Sequence, residues 1–386
     1  MNRLEDSLTS LVNYIERESF KGYDPYDILN AQIDFSRFGR KVAAVFTQIH
    51  KRNPLNIRSL IGIKKDLNPK GAGLLLKAYC LLFRKTKESK YLEKADYLFN
   101  WLIQNYSEGY SGKCWGYNFD WASPGNYLKA YTPSVVVTSF VTDGVFEYYK
   151  IKKSKEVGDI IRSSAHYIIN DIPVSHFDEG ISFSYTYLSK GCCYNASLLA
   201  AEVLAKADLI SNTSDYTSLI NKAVNYVISK QMPDGRWNYS YNAEKCNERV
   251  QIDFHQGFIL VSLDNLNRIT GSGRKDVNDA IKKGLSYYRN KQFLDTGQAL
   301  WRIPKKWPVD IHNQSQGIIT FSKLKRYSAE YMNFAQTIAN WTIENMQSDK
   351  GYFYYRKNPL FINKTSYMRW AQAWMMLALA ELISNE

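Results

Sequence analysis

The sequence predicts an all-α fold, a closed ring of about six helical hairpins built by one 386-residue chain. Three observations carry that expectation. Apolar helical segments recur at near-equal spacing, amphipathic segments alternate with them, and a Gly–aromatic turn follows most of the amphipathic ones. Two of the recurring segments also open almost alike. One reads Ile252-Asp253-Phe254-His255-Gln256-Gly257; the other reads Val309-Asp310-Ile311-His312 and continues to Gln316-Gly317. These near-copies hold two of the chain's five histidines.

In chain order, residues 4–18 read as an amphipathic helix within an N-terminal helical extension, 1–36, of a single domain spanning 1–386. The first outer helix is expected at 37–51. Inner segments begin near Pro69, Thr132, Gly191, Asp253, Asp310 and Thr365, so successive starts lie 63, 59, 62, 57 and 55 residues apart. Each continues with small or apolar residues on nearly every side, the character of an interior helix. Between them, 91–106, 155–171, 216–231, 276–292 and 330–347 carry Lys, Glu and Asp on one face and apolar residues at helical spacing. Those segments belong outside. An inner helix paired with an outer one, six times over, closes a ring.

The turn signal is clearest at Gln231-Met232-Pro233-Asp234-Gly235-Arg236-Trp237. Looser copies run from Gln104 through Gly112 to Trp115, from Gln292 through Gly297 to Trp301, and from Gln347 through Gly351 to Phe353. The weakest runs from Asn170 through Gly180 to Phe183. Glycine permits a tight turn, and the aromatic that follows plugs the joint between neighbouring hairpins.

Composition narrows the function classes. The net charge is +13, but Lys and Arg are scattered and no nucleic-acid motif appears. The charge fits a solvated basic surface or an acidic ligand. The odd cysteine count, five, with no CxxC spacing, fits a reducing, cytoplasmic setting. The N-terminus has no uninterrupted apolar run and does not read as a signal peptide. No segment reads as a membrane span; the best candidate, 367–383, contains Arg369, Gln372 and Glu381. Walker, dinucleotide and G-x-S-x-G patterns are absent from the sequence.

The Q-x-x-D-G-x-W turn followed by a helix resembles the repeat of the α/α-toroid proteins, over roughly residues 85–386. That group includes terpenoid cyclases, protein prenyltransferase β subunits and six-hairpin glycosidases. Residues 114–121 (CWGYNFDW), 308–312 (PVDIH) and 366–374 (SYMRWAQAW) further resemble toroid proteins associated with prokaryotic surface-polysaccharide biosynthesis. The resemblance implies an (α/α)6 toroid whose inner helices aim their N-termini at one mouth. Residues at those starts and in the turns would converge there.

Such a mouth would hold aromatics suited to stacking on sugar rings: Trp115, Tyr117, Trp121, Tyr185, Trp237, Tyr239, Trp301, Tyr367 and Trp370. Arg369 would clamp an acidic group. Asp120, Asp253, His255, Asp310 and His312 are the ionisable candidates. Both aspartates also suit a helix N-cap, and both histidines a structural role.

Three chemistries remain open. Glycoside hydrolysis would pair Asp253 with Asp310, or recruit Asp120, as acid and base. Epimerisation or elimination would use His255 and His312, with Tyr239 or Tyr367 replacing one. Zinc held by Asp253, His255, His312 and Cys192 has the right ligand types but no diagnostic spacing. No cofactor is expected. The leading expectation is a carbohydrate-active enzyme with glycosidase-like acid/base chemistry on an acidic sugar or polysaccharide. A polysaccharide-binding or scaffold toroid is the non-catalytic alternative. Cyclisation of isoprenoids is not expected, because no D-x-D-D motif is present.

Overall fold

A computed structural model describes residues 3–32, 37, 39–122, 127–243 and 245–385. Its described residues form thirteen α-helices and a few short strands. They are α1 (Arg3–Arg17), α2 (Arg40–Arg52), α3 (Pro69–Thr86), α4 (Ser89–Gln104), α5 (Val135–Lys152), α6 (Lys155–Asp171) and α7 (Tyr194–Ser211). There follow α8 (Thr217–Ser229), α9 (His255–Ile269), α10 (Lys275–Gln292), α11 (Ile311–Lys323), α12 (Glu330–Met346) and α13 (Ala373–Asn385). A π-turn, Met368–Gln372, leads into α13.

Helices α3, α5, α7, α9, α11 and α13 each pack on the next, and α13 packs back on α3. They make a closed inner ring. Their apolar residues point every way because every side meets another helix. Local chemistry starts them cleanly. The Asn68 side chain accepts from the amides of Lys70 and Gly71, Ser134 caps α5 through Val137, and Asp310 caps α11 through His312. Helices α4, α6, α8, α10 and α12 pack outside, where the amphipathic segments were expected.

The sixth outer helix is α1, a correction to the expected 37–51. Helix α1 packs on α12 and α13, and the Tyr79 hydroxyl of α3 donates to Glu16 at 3.0 Å. The two ends of the chain therefore complete one ring. Helix α2 instead lies off the ring, against residues 27–30 and the strand at 121–122. The predicted extension thus contains a ring helix; its residues 33–36 lie outside the described residues.

Turn glycines explain how hairpins stack. A Cβ on Gly112, Gly180, Gly235, Gly297 or Gly351 would strike the backbone carbonyl of Ser163, Lys222, Lys283, Thr337 or Ser10 respectively. Each carbonyl belongs to the next outer helix, and Ser10 places α1 last in that series. Backbone approaching backbone this closely leaves no room for a side chain.

The inner helices carry a band of charge part-way along the ring. Asp143 accepts from Lys77 and Lys206, both at 2.8 Å. Glu381 lies 3.2 Å from Lys77 and 3.3 Å from Lys323. Opposite charges alternate between neighbouring helices, which is how buried ions avoid an unpaired desolvation cost. No helix among the described residues is long and apolar enough to cross a membrane.

Candidate functional site

One inner-helix position repeats with a mechanical role. Thr138, Ser197, Gln256, Gln314 and Gln372 each accept a backbone N–H from the preceding turn. The amides belong to Trp115, Phe183, Trp237, Ala299 and Phe353. Gln256 and Gln372 also donate to the carbonyl of the same turn residue, at 2.6 and 2.8 Å. These residues hook each turn onto its inner helix. The turn aromatics fill the joints: Trp115 and Trp237 are fully buried, and their indole N–H groups donate to Leu102 and Val227 carbonyls.

The hook sets a common register. Two residues before it stand Phe254, His312 and Trp370, which meet on the ring axis. Ring centroids are 4.3 Å apart for Phe254–His312 and 4.7 Å for His312–Trp370. Two residues after it stand Phe140, Phe258 and Trp374, with Phe140–Trp374 at 5.0 Å and Phe258–Trp374 at 5.4 Å. Two aromatic layers thus plug the axis. Lys70 of α3 reaches into them, its ammonium 4.4 Å from the Phe140 centroid.

This register corrects the apparent twin motif. The hook lies three residues after Asp253 but four after Asp310, so the histidines are not equivalent. Both aspartates still accept from the amide two residues on, as caps do. His312 occupies the axis, 1% exposed, and neither ring nitrogen has a partner among the described residues. Burial first, then the charges of Lys70 and Arg369, hold its imidazole well below the ordinary value, so it is neutral. His255 turns outward instead. Its Nδ1 lies 2.5 Å from Asp253 Oδ1, and its side chain remains 15% exposed.

The Asp253–His255 pair forms the margin of the plug. Gln251 donates to Asp253 Oδ2 at 2.7 Å and Arg302 Nε lies 3.4 Å away. Burial alone would raise the Asp253 pKa; His255 and Arg302 outweigh it and keep the carboxylate ionised. A fixed carboxylate on Nδ1 selects the tautomer that leaves Nε2 as acceptor. Tyr239 stands edge-on to the imidazole at 4.8 Å, and Arg249 lies 4.9 Å from the Tyr239 ring. Cys193 first, and burial second, push the Tyr239 hydroxyl well above its usual range, so it keeps its proton. The pair can accept a proton beside two cations.

The remaining candidates separate. Asp310 is fully buried and saturated: it accepts from Arg356 at 2.7 Å, Trp370 at 2.9 Å and the His312 amide at 3.0 Å. Of the two roles expected of it, acid/base or helix cap, its contacts are those of a cap and ion-pair partner. Asp120 accepts from Tyr127 and from the Ala130 amide, which folds its own loop. Arg369 is not a free anion clamp; Asp24 holds it bidentately at 2.5 and 2.8 Å, both groups buried.

Trp115, Trp237 and Tyr367 are buried and offer no open face to a sugar, and Trp370 belongs to the axial plug. Tyr117, Trp121, Tyr185, Tyr239 and Trp301 stay partly exposed. Trp301 is not its turn's plug either, because Ala299 takes that place and Trp301 meets Arg356 at 4.3 Å. Cys192 pairs in a strand with Tyr241, and among the described residues no three His, Cys, Asp or Glu side chains gather as a metal set.

Lys70, Asp24, Arg249 and Arg302 escaped the sequence reading. Lys70 had a faint signal, being a cation at the start of an otherwise apolar inner helix. The others lie in connecting segments whose placement only folding decides.

Solved structures match this ring closely. Cellobiose 2-epimerase from Bacillus thermoamylovorans superposes with a TM-score of 0.65 at 13% identity, covering 82% of this chain and 87% of that one. The chain has the α/α-toroid fold. A possible member of the GH105 family from Salmonella enterica gives a TM-score of 0.66 at 13% identity, over 100% of this toroid and 95% of its own chain. Among curated proteins, lanosterol synthase of Candida albicans is 28% identical over 153 residues, which is 39% of this toroid and 19% of the synthase. No protein-family model matches the chain.

Proposed function

We propose that this toroid is a carbohydrate-active enzyme that removes a proton from the carbon next to the carboxylate of an acidic sugar. His255 is the base, Asp253 orients it, and Arg302 with Arg249 binds the sugar carboxylate. One observation carries the reading: an imidazole tied to a buried carboxylate at 2.5 Å, with its other nitrogen at a partly exposed margin. Toroids of similar shape include one named a cellobiose 2-epimerase, which supports a sugar as the substrate class.

In the first step His255 Nε2 takes the C–H proton and the electron pair moves into the carboxylate. Two flanking guanidiniums stabilise the added negative charge. The Tyr239 hydroxyl, on the ring that stands edge-on to His255 at 4.8 Å, is the proton donor in this reading. Protonating a leaving glycosidic oxygen there completes an elimination, in which the carbon–oxygen bond breaks as a carbon–carbon double bond forms. Returning a proton to the opposite face of the carbon gives an epimer. Hydrolysis by paired carboxylates is less well supported, since Asp253, Asp310 and Asp120 are all engaged by other groups.

The test is hydrogen exchange. Uronate oligosaccharides incubated with the protein in D2O should gain deuterium next to the carboxylate, read by NMR. General-base loss typically costs about 10²–10⁴-fold, so His255→Ala should abolish measurable exchange and Asp253→Asn should reduce it strongly. Undiminished exchange in His255→Ala, or hydrolysis without exchange, refutes the proposal.

A further inference from the structure

A cleft lies at the seam where α1 meets the last hairpin. Its volume is about 920 Å³. Arg17, Lys21, Lys65, Lys350 and Lys364 line it, against one acid, Glu18. Lys65 neutralises Glu18 at 2.5 Å. Among the described residues Arg17 meets the Lys350 carbonyl and the face of Tyr14, and Lys364 meets the Tyr354 ring. Lys21 and Lys350 have no ion-pair partner among the described residues. Four cations thus line one cleft with no ion-pair partner among the described residues.

The walls add aromatic surface. Tyr23 and Tyr352, both partly exposed, line the cleft, and the buried Tyr14 packs against Tyr352 at 5.1 Å. The Ser366 hydroxyl faces the same space and accepts from Tyr14 at 2.9 Å. At its inner edge Gly22, Tyr23 and Met368 are shared with a narrower cleft that reaches Asp24 and Arg369. Those three residues pack on one another and form the wall between the two clefts.

We infer that this cleft is a binding subsite for an anionic glycan. Ammonium groups spaced around a wide cleft suit a polymer with charges at intervals, and tyrosine faces suit sugar rings. A lone small anion would leave most of the volume and all the ring surface unused. The inference adds to the proposed reaction and borrows from it only the acidic character of the glycan.

The test measures binding without turnover. An oligogalacturonate is titrated calorimetrically into the full chain, alongside a neutral oligosaccharide of equal length and inorganic phosphate. Variants are Lys21→Gln/Lys350→Gln/Lys364→Gln, all at exposed positions, and His255→Ala. The wild type should bind the acidic oligomer, and the triple variant should bind it at least tenfold more weakly with an unchanged melting temperature. In the His255→Ala background, where no turnover contributes, adding the triple substitution should weaken binding by the same factor, which separates this site from the reaction centre. Equal binding by wild type and triple variant overturns the inference. So does neutral oligosaccharide binding as tightly as the acidic one, or inorganic phosphate binding as tightly as either.

Discussion

Replacing Gln256 with Ala tests the hook that organises the ring. The Gln256 amide accepts from the Trp237 N–H at 2.9 Å and donates to the Trp237 carbonyl at 2.6 Å. Trp237 is fully buried, so water cannot replace either bond. An orphaned buried polar group costs about 1–3 kcal/mol. Two such groups, one of them a carbonyl that tolerates loss better, give about 2–4 kcal/mol. Ser197→Ala is the internal comparison, because Ser197 holds only the Phe183 N–H, at 3.1 Å. Its expected cost is about 1–2 kcal/mol.

Urea unfolding followed by tryptophan fluorescence reads both. With an m-value of roughly 3 kcal/mol/M, Gln256→Ala should lower the midpoint by about 1 M. Ser197→Ala should lower it by about half as much. A Gln256→Ala midpoint indistinguishable from wild type, or a Ser197→Ala shift as large as the Gln256→Ala shift, refutes the hook argument. Because Gln256 adjoins His255, the variant should also loosen the imidazole, seen as a broadened His255 NMR signal.

Two further outcomes follow from the packing. His312 is a base whose folded pKa is depressed below 6.5, so its neutral form favours the fold. The unfolded state binds the extra proton first, and its contribution to stability is complete above about pH 6.5 and falls as pH drops below that, by up to about 1.4 kcal/mol per pH unit. The pH dependence of the urea midpoint should flatten in His312→Phe; identical slopes in variant and wild type contradict it. Gly351→Ala places a methyl against the Ser10 carbonyl at φ +93°, so it should cost roughly 2–3 kcal/mol and free α1, making residues 3–17 hypersensitive to protease. Unchanged stability and protection would show that α1 is not seated as the sixth outer helix.

Much of the ring was legible in the chain. Interior helices must be apolar all round, outer ones amphipathic, and a repeated joint must repeat its glycine and its plug; each requirement is local and leaves a periodic trace. The trace misled where one residue of offset mattered. Asp253 and Asp310 each accept from the amide two residues on, yet the hook falls three residues after one and four after the other. That single step turns His255 outward and His312 onto the axis.

The sequence alone therefore determined the helices, their order and their alternation. Those properties depend on spacing along the chain and on which faces shed water. Only the tertiary structure decided which polar groups are free. It tied Arg369 to Asp24 and Asp310 to Arg356, seated α1 as the closing helix, and left His255 reachable beside Arg302. Such pairings join residues up to hundreds of positions apart, and a charged side chain looks the same in a sequence whether its partner is another residue or water.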